Sequence, residues 1–438
     1  MLLTIHPNKR VSMDAKRVFL FLQGPHGPFF HKLGKMLECA NAKVWRVGFN
    51  AGDQLFWPSR HNYIPFQDDI DTWSEWFSDL LSEKYVTDLV LYGDVRRIHA
   101  EAVELAKERG LRVHVFEEGY MRPYWVTYER GGSNGHSRLM DMNIEDMRDA
   151  LAHSDIDSPV PPASWGDMRQ HVFYGATYHG AVLCLNGKYE NFSPHRSIGV
   201  SAEFRLHFKR LLLMPYLSLK RHLATLQIKR GSFPYHLVLL QLEHDASFQA
   251  HSPFSSISEF LEMVIKGFAD GAPGHHHLVI KTHPLEDGRS TFVKDLKTLT
   301  KDHDVEGRVH IVRGGKLAGL LDQSRSAVTV NSTAAQQVLW RGIPLKTFGD
   351  AVYAKPEFVS TQHLPEFFSA PDRPDRRAYV DYRQYLLETS QIAGGFYSTK
   401  GRRQLLRQAV DMMLADEDPY DALRSGTASP RQQLHISA

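Results

Sequence analysis

Arg112-Val113-His114-Val115-Phe116-Glu117-Glu118-Gly119 is the stretch on which the fold reading turns. Five residues of strand character run straight into two adjacent carboxylates and a glycine, so a strand is expected over Arg112–Phe116 with an acidic turn directly after it. Outward from there the same grammar recurs. Val18-Phe19-Leu20-Phe21-Leu22 breaks into Gln23-Gly24-Pro25-His26-Gly27-Pro28, and a helix is expected over Phe29–Cys39. Lys43–Phe49 and Asp88–Tyr92 read as strands, with a helix over Arg97–Arg109. After residue 235 the pattern returns: strands at His236–Gln241, His277–Lys281, Val309–Val312 and Ala327–Val330, and a helix over Ser256–Phe268. That helix carries Ser256 and Glu259 at capping-box spacing, with Ile257, Phe260, Leu261, Val264 and Phe268 on one face. Strands alternating with helices argue for parallel, doubly wound sheets, here in two α/β halves around a central crevice.

The 438 residues suffice for two domains with real cores, and 52 Lys and Arg against 50 Asp and Glu leave no charge bias towards nucleic acid. Cys39 and Cys184 are too few for a disulfide framework and fit a reducing compartment. Neither a signal peptide nor an apolar run near the ~18–20 residues of a membrane span is expected. The predicted organisation is an N-terminal Rossmann-like domain over 1–165, a helical basic connector over 166–235, a C-terminal Rossmann-like domain over 236–360, and helices with a frayed polar tail over 361–438. From Arg205 to Arg230 there are seven Lys or Arg and no acid, around the apolar block Leu211–Leu219. This reads as a connector with an apolar packing face, or as a basic surface resting on anionic lipid through residues such as Lys209, Arg210, Lys220 and Arg221.

Four loops follow predicted strands, and ligands of open α/β sheets bind at the carboxyl ends of strands. Gln23-Gly24-Pro25 offers close backbone approach but fits neither a dinucleotide fingerprint nor a Walker loop, so it reads equally as a turn or a substrate loop. Glu117 and Glu118 alternate in direction, so one faces the crevice; desolvation would suit it to proton transfer or attack. The plain alternative is a structural role, capping the turn or pairing with Arg122. Lys281-Thr282-His283-Pro284 presents donors and cations on one side. Asn331-Ser332-Thr333 opens a helix, expected to start at Ser332 or Thr333, where orphan N–H groups favour phosphate; simple capping is the alternative. Together they describe a crevice with anion binding on one wall and acid chemistry on the other. His275-His276-His277 is not read as a metal site, since consecutive strand residues cannot all face one ion.

In this combination the chain resembles the capsule polysaccharide synthesis family, specifically its KpsS/LipB-type β-Kdo transferases of a single module. The resemblance rests on Gln23-Gly24-Pro25 with Phe29-Phe30, on Glu117-Glu118-Gly119-Tyr120-Met121-Arg122-Pro123, and on Gln241 with Asp245 and His251-Ser252. Lys281-Thr282-His283-Pro284-Leu285 and Asn331-Ser332-Thr333-Ala334 complete it, over roughly residues 18 to 350. It implies a GT-B-like fold, a CMP-Kdo donor, a (lyso)phosphatidylglycerol acceptor and transfer with retention at the inner face of the cytoplasmic membrane. No cofactor or metal requirement is implied, and other capsule synthesis or export proteins are implied as partners. By the same resemblance, and by that to bacterial sialyltransferases, Glu118 stands at the catalytic acid with Glu117 beside it, and His283 at the His-Pro position. Ser332 and Thr333 stand at the phosphate-gripping pair. Gln241, Asp245, Lys281, Pro284 and Asn331 fall on the donor side, and Gln23, Gly24, Pro25 and Arg122 on the acceptor or substrate side. The usual motif being Glu-Asp-Gly, Glu118 is a departure with a longer arm. Two other readings share these features: a CDP-glycerol-type glycerophosphotransferase, and a non-catalytic capsule assembly or export subunit.

Overall fold

The computed structural model describes residues 17–152, 168–191, 216, 219, 222–283, 286, 292–313 and 317–427. Lys209, Arg210, Lys220, Arg221, Pro284 and the tail beyond 427 lie outside these residues. No helix among the described residues is long and apolar enough to cross a membrane.

By internal packing the chain divides into two compact units, Met1–Tyr92 with Ile98–His114 and Asp167–Ser193, and Gly93–Arg97 with Val115–Gly166 and Pro194–Ala438. In the first, β1 (Val18–Phe21) lies between β2 (Lys43–Gly48) and β4 (Asp88–Tyr92), with β3 (Tyr63–Pro65) outside β2, all parallel. β5 (Arg112–Glu118) begins in this unit, and its end belongs to the second together with β6 (Trp125–Arg130) and β12 (Gln391–Ala393), which pairs antiparallel with β6. The helix Phe29–Cys39 forms over its expected span because Phe29, Phe30, Leu33 and Leu37 recur at helical spacing and are buried. The helix Met168–Leu185 also belongs to this unit: Asn50 Nδ2 donates to the Tyr178 hydroxyl at 2.7 Å, and the Ala51 N–H to Asn186 Oδ1 at 3.0 Å.

The second unit contains a five-stranded parallel sheet, order β11-β10-β7-β8-β9, from β7 (Tyr235–Leu239), β8 (His277–Thr282), β9 (Val309–Arg313), β10 (Ser324–Thr329) and β11 (Leu345–Thr347). The helix Ile257–Gly271 lies against it with Ser256 accepting the Glu259 N–H, as the capping spacing predicts. Glu259 turns instead to the N–H and hydroxyl of Ser255, both at 2.8 Å, so the reciprocal half of the box is displaced by one residue.

The segment expected to complete the N-terminal half, Val115–Gly166, packs with the second unit. The reason is the C-terminal helices, whose faces need this segment. Arg130 donates to the carbonyls of Met412, Ala415 and Asp416, and Arg138 forms a two-pronged pair with Asp421. Lys355 fastens the same segment. Its ammonium is buried and donates to the carbonyls of Leu139, Met140 and Met142 at 2.6, 3.2 and 2.6 Å. Three carbonyls, one buried and two half-buried, lose their donor if that charge is removed. Lys355→Met is therefore expected to lower the unfolding free energy by about 2–4 kcal/mol in urea titrations, and an unchanged midpoint would refute this role.

Candidate functional site

The acidic pair lies within a strand, not in a turn after it. β5 runs through Glu118 because β6, not anticipated in the sequence reading, continues alongside: the Gly119 N–H donates to the Trp125 carbonyl at 3.1 Å. Gly119 is required there, since a Cβ would stand 2.2 Å from that carbonyl oxygen. The signal for β6 was present in Trp125-Val126-Thr127-Tyr128, a β-branched and aromatic run.

Glu117 and Glu118 then differ as alternation requires. The Glu117 Oε1 accepts the Glu118 N–H at 3.0 Å, and its Oε2 lies where a side chain on Gly93 would be, 2.9 Å from an ideal Cβ. Glu117 keeps a partly exposed edge as a residue, but its carboxyl group is enclosed by protein. That desolvation raises it to about 7, against the lowering effects of the Glu118 N–H and of Arg122; the charges of Glu118 and Asp245 push the same way as burial. Glu118 is half-buried. Arg122 Nε reaches the Gly119 carbonyl at 3.3 Å.

The strands β7, β8 and β10 are neighbours and parallel, so the residues after them share one sheet edge. Gln241 and Asn331 are joined there. The Gln241 amide donates to Asn331 Oδ1, and Asn331 Nδ2 donates to the carbonyls of Ser247 at 3.2 Å and His251 at 3.1 Å. Asp245 caps the short helix Ala246–His251 through Ser247. The helix expected from Ser332 or Thr333 begins later, at Ala335, and runs only to Trp340. Ser332 is used locally, its Oγ accepting the Ala334 N–H at 3.3 Å and its carbonyl the Tyr353 hydroxyl at 2.8 Å. Thr333 and Asn331 line a small cleft with Tyr120, Asn134, Ser247 and Tyr353, so Tyr120, just past the acidic pair, meets the Asn-Ser-Thr loop within one unit. Glu117, Glu118 and the Asn-Ser-Thr loop, expected from opposite halves, all belong to the second unit.

Lys281 and Thr282 are buried at the end of β8, and His283 follows half-buried, its carbonyl accepting the Glu286 N–H at 3.0 Å. Gln23, Gly24 and Pro25 belong to the first unit. There the Gln23 amide donates to Asp53 at 3.1 Å, Gly24 packs on the Phe30 ring, and Pro25 lines a pocket with Arg46, Trp57 and Tyr178. Of the three histidines declined as metal ligands, His277 stacks on Phe233 and contacts His310 at 2.8 Å, while His276 contacts His236 at 3.0 Å.

Asp94 and His136 escaped the sequence reading, which had named only their neighbour His251. Asp94 is buried, accepting the Ser133 N–H at 2.8 Å and contacting His136 Nδ1 at 3.2 Å. The His251 ring packs edge-to-face on His136 with centroids 4.9 Å apart. Burial and the neighbouring His136 hold His251 below the usual histidine range, whereas Asp94 and Asp350 act in the opposite direction. The signal available was positional: Gly93-Asp94 also follows a strand.

Comparison with known proteins agrees with the sequence resemblance. The family model described as capsule polysaccharide biosynthesis protein matches residues 87–397. The chain is 30% identical over 397 residues to the capsule polysaccharide modification protein LipB of Neisseria meningitidis serogroup B, covering 88% of this chain and 93% of that one. It is 28% identical over 394 residues to the capsule polysaccharide export protein KpsS of Escherichia coli, covering 88% and 98%. Among solved structures, the β-Kdo 2,7-transferase KpsC of Thermosulfurimonas dismutans is similar over 91% of this chain and 99% of that one, at 14% identity and a TM-score of 0.44. On the extent of the family match and of the identity to LipB, this chain belongs to the capsule polysaccharide biosynthesis family.

Proposed function

We propose that the chain is a retaining glycosyltransferase of GT-B type. It moves Kdo from CMP-β-Kdo to a (lyso)phosphatidylglycerol acceptor and so starts the poly-Kdo linker of a capsule polysaccharide. The observation that carries this reading is that Tyr120, just past the acidic pair, lines one cleft with Asn331 and Thr333 in the same unit, and that the charge of Asp245 acts on the Glu117 carboxyl. Membership in the family supplies the capsule setting. In this reading Glu118 attacks the anomeric carbon, and the bond to the phosphate oxygen breaks with its electron pair leaving on CMP. The acceptor hydroxyl then attacks the same carbon, and the electron pair of the glycosyl–Glu118 bond returns to the carboxylate. Glu117, partly protonated near neutral pH, is the weaker nucleophile and the support. Its protonation also avoids two adjacent ionised carboxylates.

A CMP leaving group carries one phosphate. The donor-side residues Gln241, Asp245, Lys281, His283, Pro284, Asn331, Ser332 and Thr333 are proposed to hold it without a metal ion. Gln23, Gly24, Pro25 and Arg122 are proposed for the acceptor or substrate side. For a phospholipid acceptor, the basic stretch Arg205–Arg230 is proposed to rest on the inner face of the cytoplasmic membrane.

With CMP-Kdo and lyso-phosphatidylglycerol, a β-linked product by NMR is expected at equal rates with and without EDTA. Glu118→Gln is expected to lower the rate at least ~10³-fold, and Glu117→Gln about tenfold. The reverse ranking would exchange their roles, and product only from CDP-glycerol would replace the sugar-transfer reading. Reversing the charges of Lys209, Arg210, Lys220 and Arg221 is expected to abolish sedimentation with anionic vesicles but not with neutral ones; unchanged binding returns this stretch to a connector.

Glu117 also sets a pH dependence of stability. Its folded value is raised above the unfolded one, so its contribution is fully present below about pH 4.5 and is lost as pH rises through about 7. Glu117→Gln removes an acid that folding disfavours in its ionised form. The variant is expected to gain up to about 3 kcal/mol on wild type between pH 5 and pH 8 in denaturant titrations. A pH-independent difference would overturn this assignment.

A further inference from the structure

We propose that Asp94 and His136 form an oriented dyad that takes the proton of the acceptor hydroxyl. This rests on the transferase reading above, which names an attacking carboxylate but no acceptor for that proton.

The geometry is that of a base fixed by a buried acid. Asp94 is 2% exposed, and its Oδ2 accepts the Ser133 N–H at 2.8 Å while facing His136 Nδ1 at 3.2 Å. The Ser133 hydroxyl adds a longer contact to Oδ1 at 3.4 Å. A carboxylate in that position selects the tautomer with hydrogen on Nδ1, which leaves the Nε2 lone pair outward. The His136 side chain is 53% exposed and so within reach of a substrate, whereas its neighbour His251 is buried, and burial lowers it from the usual histidine range. His251 fills the space above Gly135, where a Cβ would come within 2.3 Å of its Nδ1. A surface ion pair alone would not require a buried carboxylate, a second ring packed on the first, and a glycine clearing room for that ring.

Position gives the dyad its role. Gly93, which precedes Asp94, lies against the Glu117 carboxylate. The Asn134 N–H donates to the Tyr120 hydroxyl at 2.7 Å, tying the His136 turn to the acidic loop. The His251 carbonyl accepts the Asn331 amide at 3.1 Å, tying the other side to the donor loop. The dyad therefore stands between the two loops proposed to hold the reacting centres. In the second half-reaction the acceptor oxygen bonds to the anomeric carbon, the bond to Glu118 breaks with its electron pair returning to the carboxylate, and the hydroxyl proton passes to His136 Nε2 and then to solvent. Asp94 is a positioning residue that acts through His136.

The test separates the two half-reactions of the full chain. With CMP-Kdo alone, wild type is expected to release a stoichiometric burst of CMP; with lyso-phosphatidylglycerol it turns over. His136→Gln is expected to slow acceptor-dependent turnover ~10²-fold or more while the burst persists, and Asp94→Asn to slow it at least ~10-fold. Imidazole is expected to restore part of the rate to His136→Ala, a rescue that a purely structural role would not give. Turnover within threefold of wild type in His136→Gln, or equal loss of burst and turnover without rescue, would overturn the proposal. If wild type releases no CMP from CMP-Kdo, the transferase reading fails separately. The dyad is then judged by ¹⁵N NMR of His136: hydrogen on Nδ1 in wild type, shifted in Asp94→Asn, supports it, and hydrogen on Nε2 in wild type overturns it.

Discussion

The carboxyl group of Glu129 holds together the three segments on which the site is built. It is buried on β6 and accepts the hydroxyls of Tyr120 at 2.6 Å, Tyr420 at 3.0 Å and Ser137. Tyr120 belongs to the acidic loop, Ser137 to the turn that carries His136, and Tyr420 to the C-terminal helix Pro419–Arg424. Among the described residues its side-chain hydrogen-bond partners are these neutral hydroxyls. Burial accordingly raises the acid to about 7, and the three hydroxyls oppose that rise without cancelling it. An unmatched carboxyl is tolerable in such a place only while its donors stay, so the segments are bound to one another by the cost of separating them.

From that junction the rest of the site follows. Tyr120 accepts the Asn134 N–H as it donates to Glu129, so the turn carrying His136 is located by the same hydroxyl. Its backbone N–H is met by the side chains of Thr127 and Gln391, which bring β6 and β12 to the base of the loop. On the opposite side, Gln241 and Asn331 lock the ends of β7 and β10 to each other and to the carbonyls of Ser247 and His251. Side-chain amides serve here where charges would not, because each supplies donor and acceptor at once and leaves no buried ion to compensate.

The acidic pair shows how one strand gives two different carboxylates. Alternation sends neighbouring side chains to opposite faces, so Glu117 meets the backbone at Gly93 while Glu118 stays half-buried. Gly93 is the enabling residue: any side chain there would collide with the carboxylate, and its backbone is left-handed at φ +67°.

Periodicity and punctuation in the sequence determined the local elements and the places where loops end strands. Phe29–Cys39, Asp88–Tyr92 and the Ser256 cap form where apolar spacing and hydroxyl placement require them, since these are short-range effects. The motif residues of the acidic pair and of the Gln241, Lys281 and Asn331 stretches were legible for the same reason, each standing at or just past the end of a strand. What only the tertiary structure decided is partnership. Whether β5 stops at Phe116 or runs through Glu118 depends on β6, which pairs with β12 from more than 260 residues further along the chain. Whether Val115–Gly166 completes the first sheet's unit or joins the second depends on helices near the C-terminus, and Ser332 lost its expected helix start to a turn pinned by Tyr353. Asp94 and His136, 42 residues apart, carry no shared pattern at all. Such contacts join side chains across sequence distances over which no periodicity runs, so only the folded chain brings them together.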